Sequence, residues 1–189
     1  MPALPVRPAL ALSRGIDGVN ALIGRSVAWL SLLLVIGTGY VVLMRYAAGQ
    51  GTTALQEAIM YAHALVFMGA AAWTLQRDAH VRVDIFYRRC SARRQALIDL
   101  LGTLFLLLPT CLFLAWNSWD YVAVAWARGE RSAEAGGLPY VYLQKSLILL
   151  LVFSLLLQAV SLVIRTLCVL GGHLPTHLPD RDSGTPDAP

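Results

Sequence analysis

Hydrophobic residues fall into four runs long enough to cross a bilayer, separated by short polar or basic stretches. They cover residues 27–44, 54–75, 97–126 and 147–169. A helix needs roughly 20 mostly apolar residues to traverse a hydrocarbon core about 30 Å thick. Backbone polar groups in lipid must be satisfied within the segment, and the period-two alternation of a membrane barrel is absent, so each run predicts a helix. At 1.5 Å per residue the third is roughly 45 Å long, so it must tilt, bend or emerge into water. Pro109, near its middle, predicts a kink there. The fold class is therefore an all-α integral membrane protein with four transmembrane helices. Residues 1–26 form an N-terminal segment, 27–170 the membrane domain, and 171–189 a tail whose Pro, Asp and Gly content predicts disorder.

Composition agrees: 57% of the 189 residues are hydrophobic and 14% charged, which places the chain in a membrane. The first apolar run is longer than a secretory signal core, and Arg45 lies just before the weak cleavage-like pair Ala47-Ala48, so a retained first helix is expected. Orientation follows the excess of Lys and Arg in cytoplasmic loops. Arg7, Arg14 and Arg25 precede the first helix, Arg77, Arg82, Arg88, Arg89, Arg93 and Arg94 fill the second loop, and Arg165 and Arg181 follow or close the fourth. Only Arg45, Arg128, Arg131 and Lys145 fall on the other side, which puts both termini in the cytoplasm. This asymmetry explains the net charge of +4 without a nucleic-acid partner, and a basic strip beside the bilayer should attract anionic headgroups. Cys90, Cys111 and Cys168 are scattered and odd in number, so a disulfide framework is not expected.

The second run carries charge at both ends. Glu57 lies near its start, and Arg77, His80 and Asp84 crowd its exit. An ionisable residue in a spanning segment is costly in lipid, so this helix is expected to have a protein neighbour. If the helix continues past Leu75, Arg77, His80, Val81, Asp84 and Arg88 share one face, and His80 can pair with Asp84. Val81, Ile85 and Phe86 would let this short basic segment dip into the interface. Ala54, Ala58 and Ala62 lie on one face, and Gly69 through Ala72 is a run of small residues; such surfaces let helix backbones approach closely. Most Trp and Tyr residues cluster toward span ends, as interfacial aromatics do.

Candidate chemistry is sparse. A haem between helices needs facing axial ligands, yet only His63 lies inside a span, and it is expected to hydrogen-bond between helices. No Cys or His cluster has metal-ligand spacing, and no Ser, His and acid assemble for hydrolysis. Interrupted helices, inverted repeats and midplane polar residues, the marks of a solute pathway, are not evident. Neither catalysis nor a cofactor is expected in this chain.

Several short motifs, in order, resemble those of the small membrane subunit of tripartite ATP-independent periplasmic (TRAP) transporters, the DctQ-like family. They are Arg45-Tyr46 after the first helix, Glu57 early in the second, Gly69-Ala70-Ala71 within it, and Arg77, His80, Val81, Val83 and Asp84 at its exit. Gly137-Leu138-Pro139 ahead of the fourth span, with Lys145 nearby, completes the set, so the resemblance covers about residues 25–170. It implies a noncatalytic partner of a large permease subunit that itself holds the sodium and substrate sites, in a bacterial inner membrane. A periplasmic binding protein would deliver the substrate, an organic acid or related anion, and the outer-side loop over 127–146 would help receive that binding protein. Arg45, Glu57, Gly69, Arg77, His80, Asp84, Pro139 and Lys145 are then expected to make assembly contacts, with the large subunit or between helices. A cytochrome b-like redox subunit and a free-standing membrane structural protein are the alternatives.

Overall fold

The computed structural model describes residues 6–49, 51–79, 87 and 90–173. Regular structure among them is entirely helical: α1 (Val6–Ala28), α2 (Leu30–Ala47), α3 (Thr53–Gln76), α4 (Ala92–Gly102), a π turn (Thr103–Leu107), α5 (Leu108–Arg128) and α6 (Val141–Leu170). Four helical rods are long and apolar enough to span a membrane: Val6–Ala47, Thr53–Gln76, Arg93–Arg128 and Val141–Leu170.

The first rod extends far beyond the expected first helix, because residues 6–28 are helical as well. Pro8 falls within the first turn of α1, where a backbone N–H has no intrahelical partner to lose. Trp29 keeps right-handed helical angles, and the α1–α2 joint is marked by a three-residue bond from Leu32 N–H to Trp29 O (3.2 Å) and by Ser31 Oγ donating to Ala28 O at 2.6 Å. The resulting 42-residue rod is about 63 Å long, twice the thickness of a hydrocarbon core.

The third rod has its irregularity one turn before the expected proline kink. Leu108 N–H reaches Thr103 O, five residues back, while Thr103 Oγ1 donates to Asp99 O at 2.7 Å. Pro109 has no N–H, and its ring crowds the carbonyl four residues earlier; a wider π turn on its N-terminal side relieves both problems. The rod ends where Gly129, at φ 55°, adopts the left-handed conformation and Glu130 N–H bonds back to Ala125 O at 3.0 Å. The second rod stops at Gln76 and does not run on along one face: Asp78 turns left-handed at φ 52°, and Ala79 N–H closes onto Thr74 O at 3.0 Å. His80, Asp84 and Arg88, with the expected interfacial segment, lie outside the described residues, as does the tail beyond 173.

Helix α6 is the hub, packing against α1, α3, α4 and α5, whereas α2 packs on α3 and, at the joint, on α1. The buried apolar set is mostly small or β-branched: Ala72, Ala125, Val152 and Ala159 are at most 1% exposed, and α2 buries no residue. Larger side chains such as Phe105, Phe113 and Trp116 point outward, as a lipid or protein neighbour requires. Closest approach occurs at glycines. A Cβ at Gly24 would sit 2.5 Å from Trp73 Cβ, and one at Gly69 would sit 3.2 Å from Val27 Cγ1. These contacts seat α1 against α3. Of the Ala54, Ala58, Ala62 row, the middle residue is exposed and the outer two half-buried.

Candidate functional site

Polar side chains gather at two places, one at each end of α6. At its N-terminal end the loop over 129–140 folds around Glu57 of α3. Leu138 N–H donates to Glu57 Oε2 at 2.6 Å, and Ser132 Oγ donates to Oε1. The loop also closes on itself, through Ser132 N–H to Leu138 O (3.1 Å) and Gly137 N–H to Glu134 O (3.0 Å). Gly137 is required by proximity: a Cβ there would collide with Ser132 Oγ and lie 2.8 Å from Glu57 Oε1. Pro139 biases Leu138 toward extended backbone, away from continuing a helix. Glu57 is thus a contact within the chain, binding α3 to the α5–α6 connection.

Lys145 lies nearby, in the first turns of α6. Its Nζ bonds both carboxylate oxygens of Glu130, at 2.7 and 2.6 Å, and stands 3.9 Å from the centroid of the Tyr121 ring. Trp126 Nε1 donates to Ser146 Oγ at 2.7 Å and stacks edge-on against Tyr142, tying the end of α5 to α6. Lys145 therefore also serves the chain's own packing. Among the remaining expected assembly residues, Gly69 is the α1–α3 contact, Arg45 is exposed at the end of α2, and exposed Arg77 lies 5.3 Å over the Trp73 ring. His80 and Asp84 lie outside the described residues.

The second cluster joins α1 to the C-terminal half of α6. Asn20 Nδ2 donates to Gln158 Oε1 (2.8 Å) and, at 3.4 Å, to Ser154 O. Gln158 Nε2 and Ser161 Oγ donate to Asp17 Oδ1 at 3.0 and 2.8 Å, while Arg165 Nη2 pairs with Oδ2. Ser161 has one proton, and Asp17 takes it, so the 2.7 Å contact between Ser13 and Ser161 has Ser13 as donor. Ser13 Oγ in turn accepts from Arg165 Nε at 3.0 Å. Asp17 is 6% exposed and Arg165 29%. A carboxylate this buried requires such pairing, and the ring of bonds supplies it.

Sequence reasoning missed this seam. Its signal is a shared spacing: Ser13, Asp17, Asn20 and Gly24 recur at intervals of four, three and four, as do Ser154, Gln158, Ser161 and Arg165. Each set lies on one helical face, but neither half is interpretable alone.

His63 departs from its expected role. It is exposed on the outer face of α3 beside Met60 and Phe67, and makes no hydrogen bond among the described residues. No group of three or more His, Cys, Asp or Glu side chains that could hold a metal occurs among the described residues.

The family model described as "Tripartite ATP-independent periplasmic transporters, DctQ component" matches residues 34–169, well over half of the chain. No curated protein and no solved structure gives a significant match. The match begins inside α2 and ends inside α6, so the α6 half of the polar seam lies within it and the α1 half before it.

Proposed function

Because the chain belongs to the DctQ component family of tripartite ATP-independent periplasmic transporters, we propose that it braces a large sodium-coupled permease subunit in a bacterial inner membrane. In this reading the large subunit holds the sodium and substrate sites, and a periplasmic binding protein delivers an organic acid or related anion. The small subunit supplies a fixed body. Its polar side chains tie its own helices together at both ends, Glu57 at one and Asp17 with Arg165 at the other.

The observation that carries this reading is His63. It stands ten residues into the 24-residue span α3 and faces out of the bundle, flanked by Met60 at 52% and Phe67 at 68% exposure. An imidazole at that depth is a poor fit to lipid and is ordinarily met by protein or by a water-filled cavity. Gln56 continues the same exposed stripe. The large subunit is the neighbour that covers it.

Co-expression of the chain with its large subunit tests this directly. Since His63 makes no hydrogen bond among the described residues, His63→Trp should leave the isolated chain's melting temperature unchanged. The same variant should weaken co-purification about tenfold, the range of a buried interface anchor, and lower substrate uptake in step. Undiminished co-purification and uptake would remove the stripe from the interface.

A further inference from the structure

The exposed face of α1 that flanks the polar seam has a composition of its own. Arg7, Arg14 and Arg25 are separated by seven and eleven residues, spacings that return to the same helical direction within about 20°. All three are exposed, whereas Ser13, Asp17 and Asn20, roughly a quarter to a third of a turn round the helix, are buried. The seam therefore fixes the rotation of α1 and aims the arginines outward. Small residues, Ala11, Gly15 and Gly18, lie between the first two arginines and beyond, leaving the guanidinium groups accessible along the helix. Beside the arginine stripe run Leu12, Val19 and Leu22, at 56%, 51% and 68% exposure, and the stripe ends at Trp29, 77% exposed.

The pattern recurs on a second helix at the same end of the bundle. The end of α5 is bound to the start of α6 through Trp126 and Ser146. Helix α4, at the far end of that rod, consequently packs beside the C-terminal part of α6, where the seam lies. Arg93 and Arg94 of α4 are exposed, and one turn on Leu97 and Ile98 are each 47% exposed. None of these five arginines forms an ion pair among the described residues; Arg14 bonds back to Leu10 O at 3.3 Å.

Arginines next to outward apolar side chains, on helices continuous with membrane spans, match a phospholipid surface. The apolar flank enters the acyl boundary and the guanidinium groups meet phosphate oxygens. An acidic protein surface would satisfy the charges but leave no role for the leucines alongside them. We propose that the exposed face of α1, with Arg7, Arg14 and Arg25, and Arg93 and Arg94 of α4, which packs on the same helix α6, dock the headgroups of anionic phospholipid. This surface is independent of the bracing role and of the His63 stripe.

The test is native mass spectrometry of the full chain released from detergent with added phosphatidylglycerol or phosphatidylcholine. The wild type should retain phosphatidylglycerol preferentially. Each arginine near an anionic surface contributes roughly a fivefold preference, so R7Q/R14Q/R25Q should lower retention about tenfold or more. R128Q/R131Q, at the other end of the bundle, should not lower it, and inorganic phosphate should fail to displace the lipid. Should the triple variant melt early, R14Q and R25Q separately carry the same comparison at about fivefold each. Equal retention of the two lipids, or retention unaffected by the α1 substitutions, would overturn the proposal. Equal loss in R128Q/R131Q would reduce it to net charge, and displacement by phosphate alone would reassign the surface to a free anion. Loss of co-purification with the large subunit, at unchanged lipid retention, would reassign it to protein.

Discussion

A single missing Cβ permits the Glu57 clasp. Gly137 leaves room for Ser132 and the Glu57 carboxylate to meet, so Gly137→Ala should push the loop off α3 although the glycine makes no side-chain contact. Glu57→Gln replaces one acceptor oxygen by an amide NH2, itself a donor, that faces another donor, Ser132 Oγ–H or Leu138 N–H. The expected loss is about 1–3 kcal/mol, visible as a lower melting temperature and faster proteolysis within residues 129–140. Unaltered cleavage of that loop in both variants would deny the clasp. Asp17 is the more demanding position. Asp17→Asn leaves Arg165 without its counter-charge in a largely buried seam, and roughly 3–5 kcal/mol of destabilisation is expected. A paired replacement, Asp17→Leu with Arg165→Met, should recover part of that loss in the same thermal melt, the rest remaining because Gln158 and Ser161 lose their acceptor. A double variant no more stable than Asp17→Asn would show that shape, and not charge pairing, governs the seam.

Elements differ in how openly they are written in the sequence. The interiors of α2, α3, α5 and α6 are dense apolar runs, legible by length alone. Helix α1 is not, because its buried face is polar and its outer face carries arginine, so it resembles a solvated segment until α6 is set against it. The matched four-three-four spacings acquire meaning only in that pairing. Glu57 and Gly137 could be singled out as unusual residues, but their contact joins positions far apart in sequence that no local period connects. Pro109 signalled an irregularity whose form, a π turn on its N-terminal side, depends on where the freed carbonyls find donors. The α1–α3 crossing offers an element-scale test. Gly24→Leu drives a side chain into Trp73, which should cost about 1–3 kcal/mol and separate the helices. Disulfide formation between cysteines placed at 27 and 69 should become slower in that variant; an unchanged rate would mean that Trp73 swings aside without moving α1.

For the whole molecule, the sparse interior matters most. Helix α2 buries nothing and the core is largely Ala and Val, so much of the apolar surface awaits lipid or protein. Association with a large subunit should therefore raise the melting temperature of the chain in a concentration-dependent manner, as any ligand selective for the folded state does. A melting temperature indifferent to the large subunit would argue against a shared interface. The polar seam also fixes an order of events during synthesis. Asp17 leaves the ribosome 148 residues before Arg165. At synthesis rates of about 5–20 residues per second that interval is on the order of ten seconds. Through it α1 carries a carboxylate whose cationic partner does not yet exist, and that partner arrives only with α6. The seam thus closes only when α6 is in place, and a product truncated ahead of Arg165 displays an orphaned Asp17 on α1, a defect open to quality-control proteases before any partner is engaged.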